Sequence, residues 1–367
     1  VVQLLLDNSE RNIDLNAKSN FGMTAIMWAC NNGHTDVVQL LLDNSEKNID
    51  LNAKTNYGMT AFIVACENGY KDVIQLLLDN SERNIDFNAK TNTGWTAFMI
   101  ACLNGHKDVV QLLLDNSDRN IDFNAKANSG WTAFMIACQE GHKDVVKLLL
   151  ENLERNIDLN AKHDTGLTAF MMACQNGYKD IVQLLLDNSE RNIDLNAKTD
   201  LGMTAIMWAC FEGHKDIVQL LLDNSERNID LNAKTDLGMT AIMLACQNGN
   251  KDVVQLLLDN SERNIDLNAK TNSGWTAFMI ACEKGRTDVV KLFLDHSSKS
   301  IELNAQGQNG LTAIMYACIE GHKDVVQLLL DCPEIQLQFA DQDGKTAFIL
   351  ACFHGHNDVV QLFLNAP

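Results

Sequence analysis

Apolar residues in this chain come in two short bursts that return every 36 residues. In the copy around Gly94 the first burst is Ala97-Phe98-Met99-Ile100-Ala101-Cys102, and the second is Val109, Val110, Leu112, Leu113 and Leu114. The first is apolar around most of a helical surface, so it predicts a short buried helix, with Thr96 as its N-cap. The second is an amphipathic stripe that predicts a second helix, with Asp108 in its first turn near the positive end of the helix dipole. Asn104-Gly105 separates the two, because glycine adopts the left-handed conformation that ends helices at little cost. The stretch from Asp115 to Lys126 is mainly polar and predicts a surface connector pinned by its two large apolar residues, Ile121 and Phe123.

One glycine marks the register: Gly22, Gly58, Gly94, Gly130, Gly166, Gly202, Gly238, Gly274 and Gly310 stand 36 apart, and Gly344 follows after 34. G-x-T-A recurs at each, and Ala-Cys ends each predicted first helix. A two-helix unit cannot cover its own apolar face and must stack on copies of itself. The expected fold is therefore all-α, a helix-turn-helix solenoid. With no change of composition and only two prolines, residues 1–367 read as a single array, with 1–17 a partial repeat ahead of ten repeat cores.

The pattern NAK-x(3)-G-x-T-A-[IF]-[MI]-x-A-C-x-x-G-H-[KT]-D-V-V-[QK]-L-L-L resembles the ankyrin repeat over essentially the whole chain. The resemblance implies hairpin-like connectors and a concave face that binds other proteins. Four departures stand out. The family's T-P-L-H becomes T-A-[IF]-[MI], so the histidine that bonds the threonine is lost, and packing rather than a side-chain hydrogen bond is expected to tie the hairpin down. Cysteine replaces the second alanine of the usual pair. Ser or Thr mostly stands where the hairpin aspartate is usual, with aspartate returning at Asp341. The connector is three residues longer than the common form, and D-N-S-[ED]-[RK]-N replaces the glycine after the second helix, so a left-handed asparagine is expected to end that helix.

Net charge adds a constraint. A formal charge of −19 opposes binding to nucleic acid, whose phosphates it would repel. It suits keeping an apolar-rich array in solution and permits a basic or neutral partner. No apolar run reaches the ~20 residues of a membrane span.

Eleven cysteines raise disulfide and zinc chemistry. Ten of them share one register, and stacked helices lie ~8–10 Å apart, beyond the ~7 Å limit of a disulfide. No C-x-x-C occurs, and four ligands do not converge. Buried hydrophobes are the expected role, with no metal and no cofactor. Free thiols and the absence of N-x-Ser/Thr acceptors point to a reducing compartment, cytoplasmic or nuclear. The histidines after the inter-helix glycine (His34, His106, His142, His214, His322, His356) are expected to fix that turn against its neighbour, as the resemblance implies. No phosphate loop, metalloprotease motif or nucleophile with its base is present, so the chain is not expected to be an enzyme.

Two sets of residues are candidates for partner binding. The residue after the hairpin glycine runs Met23, Met59, Trp95, Trp131, Leu167, Met203, Met239, Trp275, Leu311, Lys345. The letters suggest duplication of a five-repeat block. Trp95, Trp131 and Trp275 either staple the helix start, Trp95 against Ile100, or line a partner groove; the two roles can coexist. The second set follows Ala-Cys: Leu103, Phe211, Ile319 and Phe353 interrupt an otherwise polar strip that the resemblance places on the concave side.

The reading is a non-catalytic protein–protein interaction scaffold. Alternatives are a structural spacer, a filament element assembling end to end, or the targeting region of a larger enzyme whose catalytic domain lies outside this chain. Val1 falls in mid-helix without a capping repeat, which predicts a fragment boundary with at least one more repeat upstream, or open ends that self-associate.

Overall fold

The computed structural model describes residues 13–44, 49–188, 192–296 and 301–365. Among these residues the regular elements are helical, and 20 α-helices come in pairs, one pair behind each repeated glycine. Behind Gly94 the pair is Ala97–Leu103 and Lys107–Asp115, as the two apolar bursts predict. Thr96 Oγ1 accepts the Met99 N–H at 3.3 Å and starts the first helix. Copies written T-A-I-M add a different bond. There the threonine N–H donates to a methionine sulfur one turn on, as Thr24 does to Met27 Sδ at 3.4 Å.

The second helix ends differently from the expectation. Asn80 caps Lys71–Asp79 with ordinary right-side backbone angles (φ −99°), its amide donating to Leu76 O at 2.9 Å. A 3₁₀ turn, Ser81–Arg83, follows, and the left-handed residue is Asn84 behind it, at φ 59°. The longer connector thus spreads over two asparagines what one glycine does elsewhere: the first satisfies an orphan carbonyl, the second turns the chain.

Contacts group the chain into two compact units, Val1–Met172 with Asp187–Ile193, and Ala173–Leu186 with Asp194–Pro367. In the first unit the helices Ala61–Asn68, Ala97–Leu103 and Ala133–Gln139 pack side by side, each also against its own second helix. In the second unit Ala205–Glu212, Ala241–Asn248, Ala277–Glu283 and Ala313–Glu320 do the same. Phe98 through Cys102 are buried, as are Val109, Val110, Leu112, Leu113 and Leu114. Each such large side chain contributes about 1.5–3 kcal/mol. Ile121 and Phe123 are buried too and pin the connector, Phe123 meeting Phe98 edge-to-face at 4.8 Å.

The hairpin is held by side-chain hydrogen bonds, contrary to the expectation that packing alone ties it down. Thr91 Oγ1 accepts the Trp95 N–H at 3.1 Å, and Thr55, Thr199, Thr235 and Thr271 serve their copies alike. The Ser/Thr that replaces the usual aspartate supplies the acceptor, which Asp341 supplies to Lys345 N–H at 2.7 Å.

Polar connector residues also bond from copy to copy. Asn52 accepts the Asp86 N–H at 2.8 Å and donates to Asn84 O at 2.8 Å. Asn88, Asn124, Asn196 and Asn232 repeat both bonds. Lys54 Nζ reaches Lys90 O at 3.0 Å, and Asn92 Nδ2 reaches back to Asn56 O at 2.9 Å. The uncapped start at Val1 to Leu6 lies outside the described residues.

Candidate functional site

Hairpin tips and the ends of first helices meet on one face, and there the first unit carries a cleft of about 760 Å³. Its floor is Ile100, Leu103 and Met59; Tyr57 and Trp95 form its walls. Ile100 is buried, Trp95, Leu103 and Met59 are half-buried, and Tyr57 is 67% exposed. Trp95 and Ile100, the two residues of the expected staple, both line this open space.

The second unit carries a cleft of about 400 Å³ built from Leu237, Met239, Trp275 and Ile280. Each of these lies 180 positions after its counterpart, five repeats of 36. Both clefts occur where a Met copy precedes a Trp copy. Met59 and Met239 line these clefts together with the indole of the next repeat. Trp131 follows Trp95, another large group, and instead packs on His163 at 5.0 Å between ring centroids. Trp275 also leans on Tyr316 of the following copy at 4.2 Å.

The seven residues singled out from sequence are thus placed differently from one another. Trp95 and Leu103 share the first cleft, and Trp275 belongs to the second. Phe211 is half-buried, edge-on to Trp208 at 6.1 Å; Ile319 is half-buried. Phe353 is 71% exposed, with the Lys345 ammonium 5.4 Å from its ring centre. Met59 and Met239 stood in the first candidate set, but sequence reasoning passed over Tyr57 and Leu237 as site residues. Their signal was present, since a large apolar residue precedes the hairpin glycine only where Met follows it.

Histidines line up against the preceding repeat. His106 Nε2 donates to Glu67 O at 2.9 Å, and His142 to Leu103 O at 2.7 Å. A carbonyl only accepts, so Nε2 carries the proton. The His142 ring lies over Gly105, where a Cβ would come within 2.6 Å of Nδ1. At the same place Asn250 donates to Phe211 O and Arg286 to Gln247 O, so the slot needs a donor more than an imidazole.

Cys30 through Cys318 in the shared register are buried, Cys332 is half-buried and Cys352 exposed. Burial pushes the Cys30 and Cys318 thiols up to about 12. Burial also raises Cys66, Cys102, Cys138, Cys210, Cys246 and Cys282, and the preceding thiol adds to the rise at Cys66, Cys138, Cys246 and Cys282. Among the described residues no cluster of His, Cys, Asp or Glu could hold a metal, and no helix is long and apolar enough to cross a membrane. Titration with an aromatic disulfide reagent at pH 8 is expected to label Cys332 and Cys352 rapidly and the nine buried cysteines from Cys30 to Cys318 only after denaturation. Rapid labelling of all eleven in the native protein would contradict the burial.

Compared with known proteins, the sequence matches the family model "Ankyrin repeats (3 copies)" over residues 1–91, 81–163, 152–235, 227–306 and 299–367. Among solved structures it is similar to the ankyrin repeat domain of Bcl-3, described as a unique member of the IkappaB protein family. The TM-score is 0.55 at 24% identity, covering 65% of this chain and 100% of that one. Comparison with curated proteins gives no match.

Proposed function

The chain belongs to the ankyrin repeat family, whose repeats are generally protein–protein interaction modules, and from that premise we propose that it is a non-catalytic scaffold binding another protein through its two clefts. The observation that carries this is the recurrence of one apolar cleft at one register in two five-repeat blocks. Each cleft offers a half-buried aromatic beside an exposed apolar tip, the composition of interface hot spots. The bound face is the one expected to be concave. Leu103, Trp95 and Trp275 act inside the clefts; Trp131, Phe211, Ile319 and Phe353 extend the contact along their own units. The net charge of −19 favours a protein partner over nucleic acid. The free buried thiols suit a reducing compartment, cytosol or nucleus.

Selection of peptides from a random display library tests this reading. Peptides that bind the parent are expected to lose roughly 10-fold or more in affinity on Trp95→Ala or Trp275→Ala, as hot-spot truncations do. Trp131→Ala, at a residue that lines neither of these clefts and only extends the contact, should change affinity less. Thermal melts of the same variants separate loss of binding from loss of fold. Peptides indifferent to both cleft tryptophans would refute the assignment.

A further inference from the structure

The two clefts share a Met, a Trp and an Ile but differ at the positions around them. In the first, several donors are already used. Asn104 Nδ2 and His106 Nε2 both donate to Glu67 O, Asn92 Nδ2 to Asn56 O, and Asn68 Nδ2 to Val64 O. The Glu67 side chain itself is exposed and forms no ion pair among the described residues. It is the one carboxylate lining that cleft. What remains for a visitor is therefore an unpaired carboxylate, the faces of Tyr57 and Trp95, and the apolar floor of Met59, Ile100 and Leu103.

In the second cleft Met239, Trp275 and Ile280 keep three of these positions, and the other three change. Gln247 stands at the register of Glu67, and Leu237 at that of Tyr57. Glu283 stands at that of Leu103, and its carboxylate is neutralised by Lys284 at 3.1 Å. That cleft offers an apolar floor with a closed ion pair and no free charge.

We infer that the first cleft recognises a lysine or arginine side chain of a basic partner segment. The aliphatic stem lies on Leu103 and Met59, and the cationic head stands between the Trp95 and Tyr57 rings and Glu67. The chemistry fits in three parts: apolar floor for the stem, aromatic faces for a cation, and an unpaired carboxylate for its charge. A chain of net charge −19 also draws a basic segment toward it. The inference rests on the proposed function and adds the class of partner.

The test uses the same library selection on the whole chain, with parent and Glu67→Gln proteins, and scores the selected sequences for charge. Trp95-dependent peptides are expected to be enriched in Lys or Arg beside an apolar residue. Replacing that residue by citrulline or norleucine should weaken binding about fivefold, a modest exposed-site effect. Glu67→Gln should remove the difference, 0.5 M salt should shrink it, and Glu283→Gln should leave it intact. Peptides that need Trp95 but show no basic enrichment, or an enrichment that survives Glu67→Gln, would overturn the inference and leave the scaffold reading standing. A selection that yields no Trp95-dependent peptides would overturn both.

Discussion

Gly94→Ala is expected to destabilise the array by about 2–5 kcal/mol, whereas the same change at Gly344 should cost only about 1–2 kcal/mol. Both glycines are left-handed, at φ +84° and +78°, so alanine meets the same backbone penalty at each. They differ in what a Cβ would meet. At Gly94 it would lie 2.7 Å from Asn128 N and 3.1 Å from the Ala127 Cα, both backbone of the next copy. That backbone cannot withdraw, because Asn128 N–H is bonded to Thr93 O at 3.1 Å across the hairpins. At Gly344 nothing lies within 4 Å. The difference between the two variants therefore isolates the stacking of one hairpin on the next. Because contacts run only between neighbours, Gly94→Ala should also split the melting transition rather than shift it whole. Equal losses at the two sites would show that the left-handed backbone alone demands glycine.

Alkaline pH should unfold this protein well before it unfolds an array with alanine in the cysteine register. A buried thiol keeps its proton in the folded state, while the unfolded chain releases its proton near pH 8.5. Stability is thus complete below that value and falls as pH rises, through about 12 for Cys30 and Cys318 and beyond it for the more strongly shifted thiols. Each thiol that must ionise on unfolding removes about 1.4 kcal/mol per pH unit in this window. Because the cysteines recur in every copy, the losses accumulate along each unit. Denaturant melts at pH 7, 9 and 10.5 measure the slope. Cys102→Ala with Cys138→Ala should flatten it by about 1.4 kcal/mol per pH unit for each residue replaced, while an unchanged slope would assign the alkaline loss to lysines and net charge instead.

Much of the fold was legible in a single copy. Thr96 as a cap, the apolar surface of Ala97–Leu103, the stripe of Lys107–Asp115 and the pins Ile121 and Phe123 are local properties, set by propensity and by the spacing of apolar residues along 36 positions. The register of cysteines and its burial followed from the same pattern. The end of the second helix was legible only in part. Sequence named asparagine as the left-handed residue, but which of two asparagines turned the chain depended on the 3₁₀ turn between Asn80 and Asn84.

What the sequence alone determined, then, is the repeat, its helices, its buried positions and hence its family. Only the tertiary structure decided what joins one copy to the next and where an opening remains. The partners of Asn52, Lys54 and His106 lie 32 to 39 residues away, in another copy. Periodicity states which residue recurs there but not which atoms meet. The clefts are further removed from any single copy. Trp95 lines one, while Trp131 packs on His163, although their local sequences nearly coincide; Met59 precedes the first and Trp95 the second. A cleft is the volume left between unlike neighbours, so it becomes visible only when the copies are packed together.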